Sequence, residues 1–420
     1  MLLYRLKSKK IVVLAAVVMA LTGCEGARTQ NQPRMAIYDL KSFKPASRVE
    51  TYDIYVYDDE YKLEMYEPEE GCYVGAYILS DRSVDFDIEK FENLMKKRHE
   101  LYAYHMNLGD KFPVNWVLSC VANMKTPYVI LKTPRAMSSD DWSELRKTAE
   151  SFNDFYVPMF VDFNPADVSA PPDAYVSAFK KARKMFAETA SNVAFVWSVD
   201  VNDVEACEPY YPGDEWVNWV GVRIMESLDP DREYAGDALD GLDEFCAMFQ
   251  RKKPVMLSRF AVSRVNSRDY AYYTDAAAKE IERVYNAVAT KYPRVKGVIY
   301  MDFNGIATGG IRENRDDFSI TGDSRVIEAY GRAVSRRRFI TGVVASMYGD
   351  VCPQEYKFRF NAYKSERGYF VPEAAFAENF QSEERPKRGY DVINGERCAF
   401  IGDESWFEGI ARLEKRSGSF

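Results

Sequence analysis

The stretch MFVDFNPADVSAPPDAYVSAFKKARKMFAETASNVAFVWSV, from Met159 to Val199, decides the fold. A short apolar run, Met159–Phe163, gives way to a loop and then to Pro172–Ala190, with apolar residues at helical spacing and proline in the first turn. A second apolar run, Val193–Val199, follows. Strands buried on both faces read as continuous apolar runs and surface helices as a 3.6-residue period, so the stretch predicts one parallel βαβ unit. The same alternation extends outward from Gly71 to about Arg337. It predicts strands at Cys72–Leu79, Leu101–Asn107, Tyr128–Lys132, Met159–Phe163, Val193–Val199, Trp219–Ile224, Val255–Phe260 and Val298–Phe303. Helical spacing falls at Asp87–Arg98, Asp140–Phe152, Pro172–Ala190, Leu239–Arg251 and Asp269–Lys291, several of them opened by a capping Asp, Ser or Pro. Eight such units over residues 71–337 match the size of a (β/α)8 TIM barrel, an α/β fold. No Gly-x-Gly-x-x-Gly follows any strand, which argues against a doubly wound nucleotide-binding sheet.

The remaining composition narrows the function classes. The chain has 420 residues, 47% hydrophobic and 29% charged, which is the profile of an ordinary globular protein. Its net charge of −8 excludes a large basic nucleic-acid footprint. With only two histidines, His99 and His105, a His-rich metal site is impossible, and no cofactor or metal is implied.

The N-terminus reads as an address. Met1–Lys10 carries four positive charges, and Ile11–Leu21 is an apolar run too short to span a bilayer as a stable helix, so residues 1–23 are expected to be a signal peptide. Leu21-Thr22-Gly23-Cys24 resembles the bacterial lipobox, in which the cysteine receives acyl chains and becomes the new N-terminus. That resemblance implies a lipoprotein exported to the cell envelope and tethered to a membrane through Cys24, with residues 24–34 as a polar leash. No feature identifies a protein partner. Six further cysteines, Cys72, Cys120, Cys207, Cys246, Cys352 and Cys398, are even in number and compatible with disulfides, but none forms a Cys-x-x-Cys pair. Cys72, Cys120 and Cys246 lie in apolar surroundings that favour buried thiols. Residues 35–70, rich in Tyr and Asp, are expected to cover the barrel as strands or loop.

Three blocks carry a family resemblance. Val193-Ala194-Phe195-Val196-Trp197-Ser198, then Tyr211-Pro212-Gly213-Asp214-Glu215-Trp216-Val217-Asn218-Trp219-Val220-Gly221-Val222, then Lys253-Pro254-Val255-Met256-Leu257-Ser258 resemble successive parts of glycoside hydrolase family 26, barrel enzymes best known as β-mannanases. Gly75-Ala76-Tyr77 also suits that family's first strand. The resemblance implies two catalytic glutamates, an acid/base after the fourth strand and a nucleophile ending the seventh, as retaining hydrolysis requires two carboxyls about 5–5.5 Å apart. Here the matching positions hold Ala166, in Asp162-Phe163-Asn164-Pro165-Ala166-Asp167-Val168, and Arg259, in Ser258-Arg259-Phe260. Alanine has no proton to give, and arginine stays protonated and cannot attack carbon.

The sequence therefore predicts an exported glycosidase-like barrel without standard catalysis, binding a polysaccharide or supporting an envelope assembly. An active β-mannan-type hydrolase, retaining or inverting, with carboxylates relocated to Asp162, Asp167, Asp200 or Asp302, is the alternative. Pairing of Arg259 with Asp162, Asp200 or Asp302 would turn the old reaction centre into a plug. Trp197, Tyr211, Trp216 and Tyr300, with Tyr210, are the aromatic candidates for stacking on sugar rings. A small α+β domain is expected over residues 338–420, after the Ser335-Arg336-Arg337-Arg338 helix end, with strands at Tyr356–Tyr363 and Gly368–Val371, a short helix after Pro372, and a hairpin turning at Asn394-Gly395. This tail resembles the stalk-like N-terminal domain of copper amine oxidases; with no His cluster, copper chemistry is not implied.

Overall fold

The computed structural model describes residues 49–58, 60–169, 171–228, 237–266, 269–307, 316–343, 348–365, 368–372, 390–393, 396–401 and 411–415. The expected leader, Cys24, the tether and the short helix after Pro372 lie outside the described residues.

Eight parallel strands close into a barrel: β2 (Cys72–Tyr77), β3 (Leu101–Asn107), β4 (Thr126–Lys132), β5 (Met159–Phe163), β6 (Val193–Asp200), β7 (Trp219–Leu228), β8 (Val255–Asn266) and β9 (Val295–Met301), with β9 pairing back onto β2. All eight expected strands are present. Around them lie α1 (Ile88–Met95), α2 (Val114–Ala122), α3 (Ser139–Asn153), α4 (Pro172–Thr189), α5 (Ala238–Phe249), α6 (Thr274–Lys291) and α7 (Ser324–Val334). Their starts follow the capping chemistry: Asp87 accepts from the Lys90 amide, Ser138 and Asp141 form a reciprocal capping box, and α4 begins with proline. Between β6 and β7 three short 3-10 turns, Val201–Ala206, Glu208–Tyr210 and Asp214–Trp216, take the place of a helix. Pro209 and Pro212 remove amide donors there, and Gly213 adopts a φ of 105° that ends any helical run.

Strands β7 and β8 run further past the barrel rim than their apolar pattern predicts, and every residue of β8 is buried. This extension also delays α6. The expected start at Asp269 gives way to Thr274 because 271–273 fold back on β8, with Asn266 donating to the Ala271 carbonyl and Tyr273 to that of Arg264.

Inside the barrel the lower half is filled with rings. Trp219 packs on both Tyr73 and Phe160, and Tyr128 packs on Phe160 at 6.2 Å between centroids. Midway up, β7 carries Gly221, where a Cβ would come within 2.8 Å of the Ser258 Cβ and 3.1 Å of that of Ser198. Glycine is required because side chains of two neighbouring strands already meet there.

Residues 61–70 seal the N-terminal end. The Trp219 indole donates to the Met65 carbonyl (2.7 Å), the Tyr66 hydroxyl to that of Asn192 (2.9 Å), and the Lys296 ammonium to those of Pro68 (3.2 Å) and Glu69 (2.9 Å). The preceding strand β1 (Val49–Asp58) does not lie on the barrel as a separate cover. It pairs with β11 (Gln354–Ser365) and β15 (Ala411–Lys415) within a six-stranded antiparallel sheet that also holds β12 (Gly368–Pro372), β13 (Tyr390–Ile393) and β14 (Glu396–Ile401), in the order β13-β14-β12-β11-β1-β15. The flank and the tail thus share one sheet. A two-residue strand, β10 (Phe339–Ile340), links the barrel to it by pairing with β2.

The sheet docks through buried charge. Lys357 of β11 pairs with Asp243 of α5 and lies 3.7 Å from the centre of the Tyr292 ring, while Arg359 pairs with Asp240 and Asp243. Arg294, wholly enclosed, donates to Glu67 (2.6 Å), Gln354 (2.9 Å) and the Gln250 carbonyl (3.0 Å), with its guanidinium between the rings of Tyr61 and Tyr356.

All six cysteines after the leader are buried, and Cys72, Cys120, Cys207, Cys246 and Cys352 are free thiols rather than disulfides. Burial pushes the Cys72 and Cys246 thiols up to about 12, which makes them inert packing groups. Among the described residues no helix is long and apolar enough to cross a membrane, and no group of three or more His, Cys, Asp or Glu is placed to hold a metal ion.

Candidate functional site

Parallel barrels place their working groups at the C-terminal ends of the strands, so alternation along each strand decides which side chains face that mouth. On β5 and β6, Asp162 and Ser198 point into the lumen, where the Ser198 hydroxyl donates to the Asp162 carboxylate at 2.7 Å. On β8 simple alternation from Met256 and Ser258 would send Arg259 outward. The register of β7 with β8 slips by one residue here, so that Val222 faces Leu257 while Arg223 faces Arg259. An extra residue in one strand re-aims the next side chain, and Arg259 turns into the lumen. Its Nη2 donates to Ser198 Oγ at 3.1 Å and lies 3.7 Å from Asp162 Oδ2.

The expected pairing of Arg259 with a nearby aspartate is therefore made with Asp162, through Ser198. Burial raises the Asp162 carboxyl above its ordinary range, while Arg259 and the Ser198 hydroxyl pull it back. Asp200 and Asp302 are not part of this group. Asp200 pairs with Arg223, whereas Asp302 accepts from the Ile320 amide at 2.8 Å, and burial and neighbouring Asp81 push its carboxyl far upward. Asp167 pairs with Arg135 and accepts from the Ser169 hydroxyl and amide, which hold its carboxyl below the ordinary range. Ala166, at the acid/base position by resemblance, is buried with its amide donating to the Ser198 carbonyl at 2.7 Å. Each candidate carboxylate thus has its own partners.

The aromatic candidates need correction. Trp197 and Tyr300 are fully buried and offer no face to a ligand. Neighbouring Ser198 points inward, so Trp197 points outward against the helices, with its ring 5.3 Å from Phe249 and 6.4 Å from Phe245. Tyr300 packs likewise on Phe260 and on Tyr330 of α7. Tyr211 and Trp216 precede β7 and so lie towards the N-terminal end of the barrel, away from the mouth: Tyr211 packs on Trp197 and Phe249, and the Trp216 indole donates to Glu215. Tyr210 is buried, with its hydroxyl donating to the Val168 carbonyl. Apolar runs say where strands lie, but only the phase of alternation says which residues face in.

The same phase brings forward residues the sequence reading left out. His105 lies on the lumen side of β3, two residues before its end, open to solvent but crowded by protein on most sides. Burial, together with Arg259 and Lys132, lowers its imidazole to about 4, so the ring is neutral at physiological pH. Lys132 is exposed at the last position of β4, and the Tyr77 ring ends β2 edge-on to His105 at 5.3 Å. All three lie near the C-terminal ends of strands whose positions the sequence predicts. His105 and Lys132 share the lumen side with Asp162 through Ile130, which is in register with both His105 and Asp162 and two residues before Lys132.

No protein-family model and no curated protein sequence matches the chain. Among solved structures it is similar to a modular endo-β-1,4-mannanase of glycoside hydrolase family 26 from Cellulomonas fimi, at 12% identity over 68% of this chain and 80% of that one, with a TM-score of 0.49. It is also similar to a family 26 β-mannanase from Bacteroides ovatus, at 9% identity over 65% of this chain and 90% of that one, with a TM-score of 0.47.

Proposed function

We propose that this protein is an exported, lipid-anchored glycosidase-like barrel that binds a glycan at its C-terminal mouth without hydrolysing it. The observation that carries the reading is the occupied reaction centre: Arg259 stands where the resemblance to family 26 calls for a nucleophile, and its guanidinium is bound to Ser198 and Asp162. Glycoside hydrolysis needs one carboxyl to protonate the leaving oxygen and another to attack or to activate water. Asp162 has an arginine beside it rather than a second carboxylate, and Asp167, Asp200 and Asp302 have separate partners. The mouth keeps an aromatic edge and several polar groups, which suit recognition of a sugar.

One observation favours the alternative of a hydrolase with relocated acids: burial raises the Asp162 carboxyl, as a general acid would need. Affinity electrophoresis of the full chain in mild detergent, through gels holding β-mannan, glucan, xylan or peptidoglycan-type polymer, separates the readings. Retardation without polymer clearing is expected. Clearing that Asp162→Asn abolishes would establish hydrolysis instead, and no retardation in any gel would favour a scaffold in an envelope assembly. Incorporation of labelled fatty acid that is lost in Cys24→Ser tests the anchor.

A further inference from the structure

Two cations at the mouth, Arg259 and Lys132, keep donors uncommitted. Arg259 is 8% exposed, and only its Nη2 meets protein acceptors. Its Nε is enclosed without a partner, and Nη1 meets no acceptor among the described residues. Lys132 is exposed at the end of β4 and pairs with no carboxylate among the described residues. Strands β4 and β8 stand on opposite walls of the barrel, yet Arg259 reaches Asp162, which is in register with Ile130 and His105, and Lys132 follows Ile130 by two residues on the same face, so both cations border the same part of the mouth. Several carboxylates near that part already have partners: Asp162 meets Ser198 and Arg259, Asp200 meets Arg223, and Asp167 meets Arg135. A cationic focus inside a chain of net charge −8 is contrary to its overall field.

We propose that the mouth recognises an acidic saccharide, whose carboxylate or sulfate oxygens lie between Arg259 Nη1 and Lys132 Nζ while its ring rests against Tyr77 and His105. This rests on the glycan-binding reading and narrows it to an anionic class. Enclosed Nε and tethered Nη2 fix the guanidinium, so Arg259 presents Nη1 without losing side-chain freedom when a ligand arrives. Neutral His105 accepts or donates one hydrogen bond to a hydroxyl without adding charge. Charge-assisted hydrogen bonds to such oxyanions are about twice as strong as neutral ones.

The test is calorimetric titration of the full chain in mild detergent with three oligosaccharides of equal length: a uronic-acid oligomer, a sulfated oligomer and neutral mannose oligomer. The acidic oligomers are expected to bind at least about tenfold tighter than the neutral one, with affinity falling as salt rises. Lys132→Met and Arg259→Gln should each weaken acidic binding by about tenfold and so narrow the preference over the neutral oligomer. Lys132 lies at the surface, so its variant remains informative if Arg259→Gln fails to fold. Preference for one acidic oligomer identifies carboxylate or sulfate as the group held. Equal binding of neutral and acidic oligomers, unaffected by Lys132→Met, would overturn this inference and leave glycan binding standing. Binding of none would overturn both.

Discussion

The two ends of the barrel use the same residue types for opposite purposes. At the N-terminal end Arg294, Lys253 and Lys296 are buried, and each is matched to Glu67, Glu64 or backbone carbonyls by residues 61–70. At the C-terminal end Lys132 is exposed and Arg259 retains donors without partners. A buried charge needs compensation wherever it lies, so an end whose cations are enclosed and each paired with the segment that covers them is a structural closure. An end where donors remain unmatched at a solvent-reaching mouth is suited to a ligand.

The largest expected effect lies at the closed end. Arg294→Met leaves Glu67 charged and enclosed, and should cost about 3–5 kcal/mol in denaturant unfolding. A loss below about 1 kcal/mol would mean that the closure does not depend on this pair. Trp197→Ala should cost about 3–5 kcal/mol, as truncation of a packed core ring does, and should lower melting temperature without selectively weakening glycan binding. A selective loss of binding would place the ring in the mouth after all.

Next comes Lys296. Removing it leaves two carbonyls without their donor, a cost of about 1–3 kcal/mol for Lys296→Met. Burial, first, and neighbouring Arg294 lower its ammonium to about 7, while in the unfolded chain it titrates near its ordinary value of about 10.4. Between those values the unfolded chain binds more protons, so this group makes stability rise as pH increases from about 7 to about 10. Urea midpoints at pH 7 and 9 should therefore converge less in the wild type than in Lys296→Met, whose stability lacks that rise. Parallel pH profiles of the two proteins would refute the lowered value. The smallest effect belongs to Lys132→Met, expected to change stability by no more than about 0.5 kcal/mol.

How far the sequence could be read follows from these locations. Strand positions were legible because parallel strands buried on both faces, such as Val193–Asp200, announce themselves as apolar runs. The facing of their side chains was not. Trp197 and Ser198 are consecutive, and the apolar run alone does not say which looks inward. Arg259 faces in only through the register slip between β7 and β8. The shared sheet was equally hidden, because Val49 pairs with Tyr363 across most of the chain and local patterning carries no record of such partners. That Ala166 and Arg259 stand at the two positions to which the resemblance assigns carboxylates was visible at once, since it is a matter of residue identity.

Lysine acylation footprinting of the full chain, read by mass spectrometry with and without an acidic oligosaccharide, tests the contrast between the two ends most directly. Lys132 should react rapidly and become protected by the ligand, while Lys253, Lys296 and Lys357 stay unmodified in the folded protein. Rapid modification of the lower lysines, or a Lys132 indifferent to ligand, would contradict the account of a closed lower end and a receptive mouth.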